Sequence, residues 1–131
     1  MLNIQPACDD MQTGKHMLIV EDDPTIGHLL VEAIQDEITC HVLLVSSGED
    51  ALNLMQTVVP TLLLLDYHLP GMNGLELVDW LRNREGGEHI PILLMSASLP
   101  QGNMDRYHLR MLKKPFNLEM LLQLIAEILL P

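Results

Sequence analysis

Four consecutive leucines, Leu62 to Leu65, run directly into Asp66 and then into Tyr67-His68-Leu69-Pro70-Gly71-Met72-Asn73-Gly74, a segment dense in turn formers. A short run that is apolar on both sides of its backbone reads as a strand buried on both faces, the central strand of a parallel sheet covered by helices. A carboxylate placed straight after it falls at the strand's C-terminal mouth. Open α/β sheets keep their chemistry there.

The rest of the chain alternates strand and helix patterns around that segment. His16–Val20 reads as a first strand. Pro24-Thr25 opens a helix to about Asp36, with Ile26, Leu29, Leu30, Ala33 and Ile34 on one face. His41–Val45 is a second strand, and Ser46 or Ser47 caps a short helix burying Ala51, Leu52, Leu54 and Met55. Thr61–Leu65 is the third strand, Gly74–Arg84 the third helix and Ile90–Met95 the fourth strand. Pro100, Gly102 and Asn103 interrupt the next stretch, so any fourth helix is short or irregular. Arg110–Leu112 reads as a fifth strand and Asn117–Leu129 as an amphipathic last helix. Five β/α units form one domain over residues 16–130, preceded by a loose arm over residues 1–15.

Composition narrows the function. The 131 residues carry 18 acids against seven Lys and Arg, a net charge of −11, with no basic stripe, so direct nucleic-acid binding is not expected. Aromatics make up only 3%, and the core must be filled by Leu, Ile, Val and nine Met. Cys8 and Cys40 lack metal-ligand spacing, and no secretory leader or membrane-length apolar run is evident. A reduced, cytoplasmic compartment is the expectation.

The mouths of strands one, three, four and five deliver Glu21 and Asp22, Asp66, Ser96 and Lys114. Clustered carboxylates repel unless a cation or proton intervenes, and a hard, oxygen-rich site with few protein ligands suits Mg²⁺. A carboxylate can also attack phosphorus to give an acyl phosphate, whose transfer needs positive charge around the phosphoryl oxygens. Lys114 and a divalent cation would supply that charge, and Ser96 a hydrogen bond. Asp23, next in the acidic triplet, reads as a solvated or helix-capping acid, Gly71 and Gly74 as loop-shaping residues, and Trp80 and Cys40 as packing.

Four segments carry a resemblance: Leu18-Ile19-Val20-Glu21-Asp22-Asp23-Pro24, Leu65-Asp66 through Gly74, Pro91-Ile92-Leu93-Leu94-Met95-Ser96-Ala97 and Lys113-Lys114-Pro115-Phe116. Asp22 and Asp66 are 44 positions apart, and Asp66 and Ser96 are 30. In this order and spacing the chain resembles the receiver domains of two-component response regulators over roughly residues 16–130. The resemblance implies a flavodoxin-like (βα)5 fold, a doubly wound five-stranded parallel sheet in the order 2-1-3-4-5. It implies Asp66 as phosphoacceptor from a histidine kinase or histidine phosphotransfer protein. Mg²⁺ would be held by Glu21, Asp22, Asp66 and the backbone carbonyl of His68, with Ser96 and Lys114 at the phosphoryl group. Pro115 would shape the lysine's loop, usually through a cis bond. Partners would be the phosphodonor and an output domain or downstream protein, not nucleic acid or membrane. Such a domain assists its own phosphorylation and dephosphorylation without being a metabolic enzyme.

Two departures fall on one surface, the face that family members use to dimerise or grip partners. Only 18 positions separate Ser96 from Lys114, about one helical turn fewer than receivers usually have. Met111 stands three residues before Lys114, where receivers commonly carry a switching Tyr or Phe, and Tyr107 is out of register with that position. The first reading is therefore a phosphorylation-controlled switch with an unusual read-out. The rival is an interaction module independent of phosphate, and homodimerisation through the altered face is left open. A haloacid-dehalogenase-type hydrolase is discarded, because His68 stands where that family has a second Asp. The chain reads more as a receiver excised from a longer regulator than as a free-standing one.

Overall fold

A computed structural model describes residues 16–98 and 109–129. Five parallel strands, β1 (His16–Val20), β2 (His41–Val45), β3 (Leu62–Asp66), β4 (Ile92–Ser96) and β5 (Arg110–Lys113), form one sheet in the order β2-β1-β3-β4-β5. Helices α1 (Pro24–Glu37), α2 (Gly48–Leu54), α3 (Gly74–Arg82) and α4 (Leu118–Leu129) cover its faces, and a 3₁₀ turn spans Gly87–His89. This is the flavodoxin-like arrangement implied by the motifs. The proposed arm at residues 1–15, the weakened fourth helix and Tyr107 lie outside the described residues.

Strand pleating divides the apolar residues between two layers. Leu18, Val20, Leu63, Leu65, Ile92 and Leu94 pack with Ala51 of α2 and Leu77, Val78 and Leu81 of α3. The alternate positions, Met17, Ile19, Leu62, Leu64, Leu93 and Met95, pack with Leu30 and Ile34 of α1 and Leu121 and Ile125 of α4. The four leucines of β3 are each 0% exposed, which is why that strand can tolerate no polar face.

Element ends differ from the sequence expectation by one or two residues. The third helix stops at Arg82, where the Asn83 N–H bonds back to Asp79 and Leu81. The fourth strand starts two residues later than expected, because Pro91, immediately before it, has no N–H to donate to a ladder. Ser47, not Ser46, caps α2 by accepting from the Asp50 N–H at 3.1 Å. At the head of α3 the Asn73 side chain accepts from the Glu76 N–H at 2.9 Å, and Glu76 accepts in return from the Asn73 N–H at 2.8 Å. Asn73→Ala is expected to cost about 1 kcal/mol. Urea denaturation measures it; an unchanged midpoint would show that this reciprocal cap contributes nothing.

Candidate phosphoacceptor site

The sheet ladder continues one residue past several strands and so fixes where the site residues begin. The Glu21 N–H donates to Val45 O at 3.0 Å, the Tyr67 N–H to Met95 O at 2.8 Å and the Lys114 N–H to Ser96 O at 2.8 Å. Side chains that are remote in sequence are thereby placed along one mouth. Behind Asp66, the loop returns tightly, with the Gly74 N–H on Tyr67 O at 2.9 Å. A Cβ on Gly74 would lie 2.9 Å from both Asp66 O and Tyr67 Cα, so any side chain there would push the loop off the strand end. Gly71 takes φ +73°, a conformation that L side chains rarely adopt.

Glu21, Asp22 and Asp66 each offer a carboxylate oxygen, and these oxygens lie within 4.8 Å of one another. Glu21 and Asp66 are buried, at 3% and 4% exposed, and Asp22 is open to solvent. The Lys114 ammonium lies 3.2 Å from Asp66 Oδ1 and 3.9 Å from Glu21 Oε1. The backbone N–H of His68 points at Asp66 Oδ1 over 3.4 Å, a long contact, while the His68 side chain is exposed. Lys114–Pro115 is a cis peptide bond.

One buried oxygen of this site is left over. Glu21 Oε1 has no hydrogen-bond partner, while Oε2 accepts from the Asp23 N–H at 3.2 Å. An orphaned carboxylate oxygen is costly, and beside two further carboxylates it is the donor that a hard divalent cation would satisfy. The donor set therefore fits Mg²⁺. Burial pushes the Glu21 carboxyl up to about 7; the Asp23 N–H and Lys114 pull against that, and Asp66 and Asp22 add to it.

A pH dependence follows for the metal-free protein. The folded chain holds a proton on Glu21 that the unfolded chain, with an ordinary value of 4.5, has already released. The stability this adds is complete below the unfolded value and is lost as pH rises towards about 7. In chelator-treated protein, Glu21→Gln should match wild type near pH 4.5 and gain a growing advantage up to about pH 7. Denaturant midpoints across that range test it, and parallel curves for the two proteins would refute it.

Ser96, the last residue of β4, is 0% exposed. Its hydroxyl donates to Ser98 O at 2.6 Å and accepts from the Ser98 N–H at 3.2 Å, so its proton is held within its own turn. Asp23 caps α1, accepting from the Thr25 and Ile26 N–H groups at 2.9 and 3.3 Å. Sequence reasoning missed the Ser96–Ser98 engagement, for which the Ser-Ala-Ser spacing was the available signal.

A parallel five-stranded sheet with an acidic cluster and a lysine at its mouth defines a class, and the sequence comparison names it. The family model for the response regulator receiver domain matches residues 17–126, and the chain belongs to that family. Among curated relatives, the Regulator of RpoS of Escherichia coli K12 is 38% identical over 85 residues, 65% of this chain and 24% of that protein. The chain thus spans about a quarter of the length of that relative. The polar-differentiation response regulator DivK of Brucella ovis is 33% identical over 92 residues, 70% of this chain and 74% of its own. Among solved structures, the chemotaxis response regulator CheY4 of Vibrio cholerae superposes with a TM-score of 0.78 at 24% identity, covering 87% of this chain and 98% of its own. The receiver domain of the sensor histidine kinase PA1611 of Pseudomonas aeruginosa PAO1, solved with a magnesium ion in its active-site cleft, gives 0.74 at 27% identity, covering 88% and 98%.

Among the described residues, no helix is long and apolar enough to cross a membrane.

Proposed function

We propose that this receiver domain accepts a phosphoryl group on Asp66 from a phosphohistidine of a histidine kinase or phosphotransfer protein, and that the acyl phosphate changes its affinity for a partner or attached output domain. The observation that carries the reading is the Lys114 ammonium paired with a buried Asp66, beside an orphaned oxygen of Glu21. Glu21, Asp22 and Asp66, with the His68 carbonyl, would hold Mg²⁺, as the magnesium in the PA1611 receiver supports. That cation would neutralise charge building on the phosphoryl oxygens.

The chain's own groups do the rest. An Asp66 carboxylate oxygen attacks phosphorus, the new O–P bond forms as the N–P bond breaks, and the donor imidazole leaves and is reprotonated. Lys114 follows the charge from carboxylate to phosphoryl oxygen. The Ser96 hydroxyl must leave Ser98 O to reach the phosphoryl group, which couples the modification to residues 96–98. Phosphorylation biases a two-state equilibrium by the difference in interaction between the two states. The domain is a substrate that assists its own modification, with no separate metabolic reaction.

A phosphate-independent interaction module is the second reading, favoured by Met111, which is 37% exposed where a switching ring would stand. One experiment separates the two. Wild-type chain treated with a small phosphodonor should become labelled only when Mg²⁺ is present, and Asp66→Asn should not be labelled at all. Absence of label on folded wild type, or label persisting on Asp66→Asn, would overturn the phosphoacceptor reading.

A further inference from the structure

We propose that the α2/α3 face is a docking surface for a basic segment of a partner protein that carries apolar anchor side chains. The chain has a single tryptophan, Trp80 of α3. Trp80 packs on the α2/α3 core layer yet remains partly exposed, with the Arg84 guanidinium carbon 5.0 Å from the ring centroid. It forms one wall of an open hollow of about 680 Å³, with Met72 also lining it. A second, smaller hollow of about 90 Å³ shares Arg84 and reaches Val59, which at 70% exposed is the barest large hydrophobic among the described residues. Met72, Trp80, Arg84 and Val59 thus make a strip across two joined hollows. Tryptophan, methionine and arginine are the side chains that concentrate at the centres of protein interfaces.

Charge selects the occupant. Glu76 and Asp79 line the larger hollow and Glu85 the smaller, while Arg84 is the cation of both and is drawn over the indole. Three carboxylates against one guanidinium, on a chain of net charge −11, repel phosphate backbones and complement Lys or Arg. A second copy of this chain brought face to face through a two-fold axis would set the same carboxylates against each other.

The test uses a labelled amphipathic peptide bearing Leu and Phe anchors flanked by Lys, and a twin in which every Lys is Glu. Anisotropy is read with the whole chain at physiological salt. The Lys peptide should bind saturably and shift Trp80 emission to the blue, and the Glu twin should not bind. Asp79→Lys and Trp80→Ala should each weaken binding about tenfold or more. Glu37→Lys, the same charge change at the exposed end of α1, should alter it less than about twofold. No saturable binding overturns the proposal. So does an equal loss from Glu37→Lys, which would mean diffuse attraction, and so does unchanged binding by Asp79→Lys in protein whose amide spectrum is native.

Discussion

Lys114→Met is expected to slow labelling of Asp66 by a small phosphodonor about a hundredfold or more, while binding Mg²⁺ more tightly than wild type. Both effects come from one atom. The ammonium sits 3.2 Å from Asp66 and 3.9 Å from Glu21, where it competes with a divalent cation for the same oxygens. Removing it leaves the carboxylates with nothing but the metal to offset their repulsion, so affinity rises. The phosphoryl oxygens meanwhile lose the charge that should meet them during transfer. Calorimetric Mg²⁺ titration and single-turnover labelling read the two quantities separately. Wild-type labelling rates in Lys114→Met would remove the lysine from the transfer step.

The largest stability effect is expected far from the site, at Gly87. A Cβ there would overlap the carbonyl oxygen of Leu81 and lie 2.9 Å from the Leu81 carbonyl carbon, both backbone atoms that cannot step aside. The same turn is tied down by Arg82, whose Nη1 donates to Gly87 O at 2.6 Å and to Ile90 O at 2.8 Å. Gly87→Ala should therefore cost about 3 kcal/mol or more and lower the melting temperature by roughly 10 °C. Gly86→Ala is the comparison. Nothing lies within 4 Å of its Cβ, but φ is +87°, so only backbone strain of about 1 kcal/mol is expected. If Gly87→Ala melts no lower than Gly86→Ala, overlap with Leu81 is not what constrains this turn.

Much of this architecture was legible because the physics is local. An unbroken leucine run announces a strand buried on both faces, and Pro24 and the Ser46-Ser47 pair announce helix starts whose caps involve neighbouring residues; the Asn73 cap of α3 was not read. Strand order and the placing of Asp66 beside Lys114 were not derivable from spacing; they came from motif resemblance, because crossover connections do not show in periodicity. The Ser96 hydroxyl was read as meeting the phosphoryl group; in the structure it is engaged by its neighbour Ser98, a contact within one turn that the strand pattern does not show. Glycine crowding at Gly87 was invisible, since a Gly-Gly pair after a helix reads as an ordinary turn. Trp80 was read as packing; it does pack, and the strip it shares with Val59 depends on α2 and α3 lying side by side.

The mouth of the sheet has a temporal consequence. Its groups come from β1, β3, β4 and β5, with Lys114 supplied by the final strand. A nascent chain at the ribosome holds every carboxylate of the site well before it holds the lysine. Under the phosphoacceptor function proposed above, Lys114 meets Asp66 only once β5 has been made and has joined the sheet, so the pair belongs to the assembled domain and to no stretch of chain that stops short of β5.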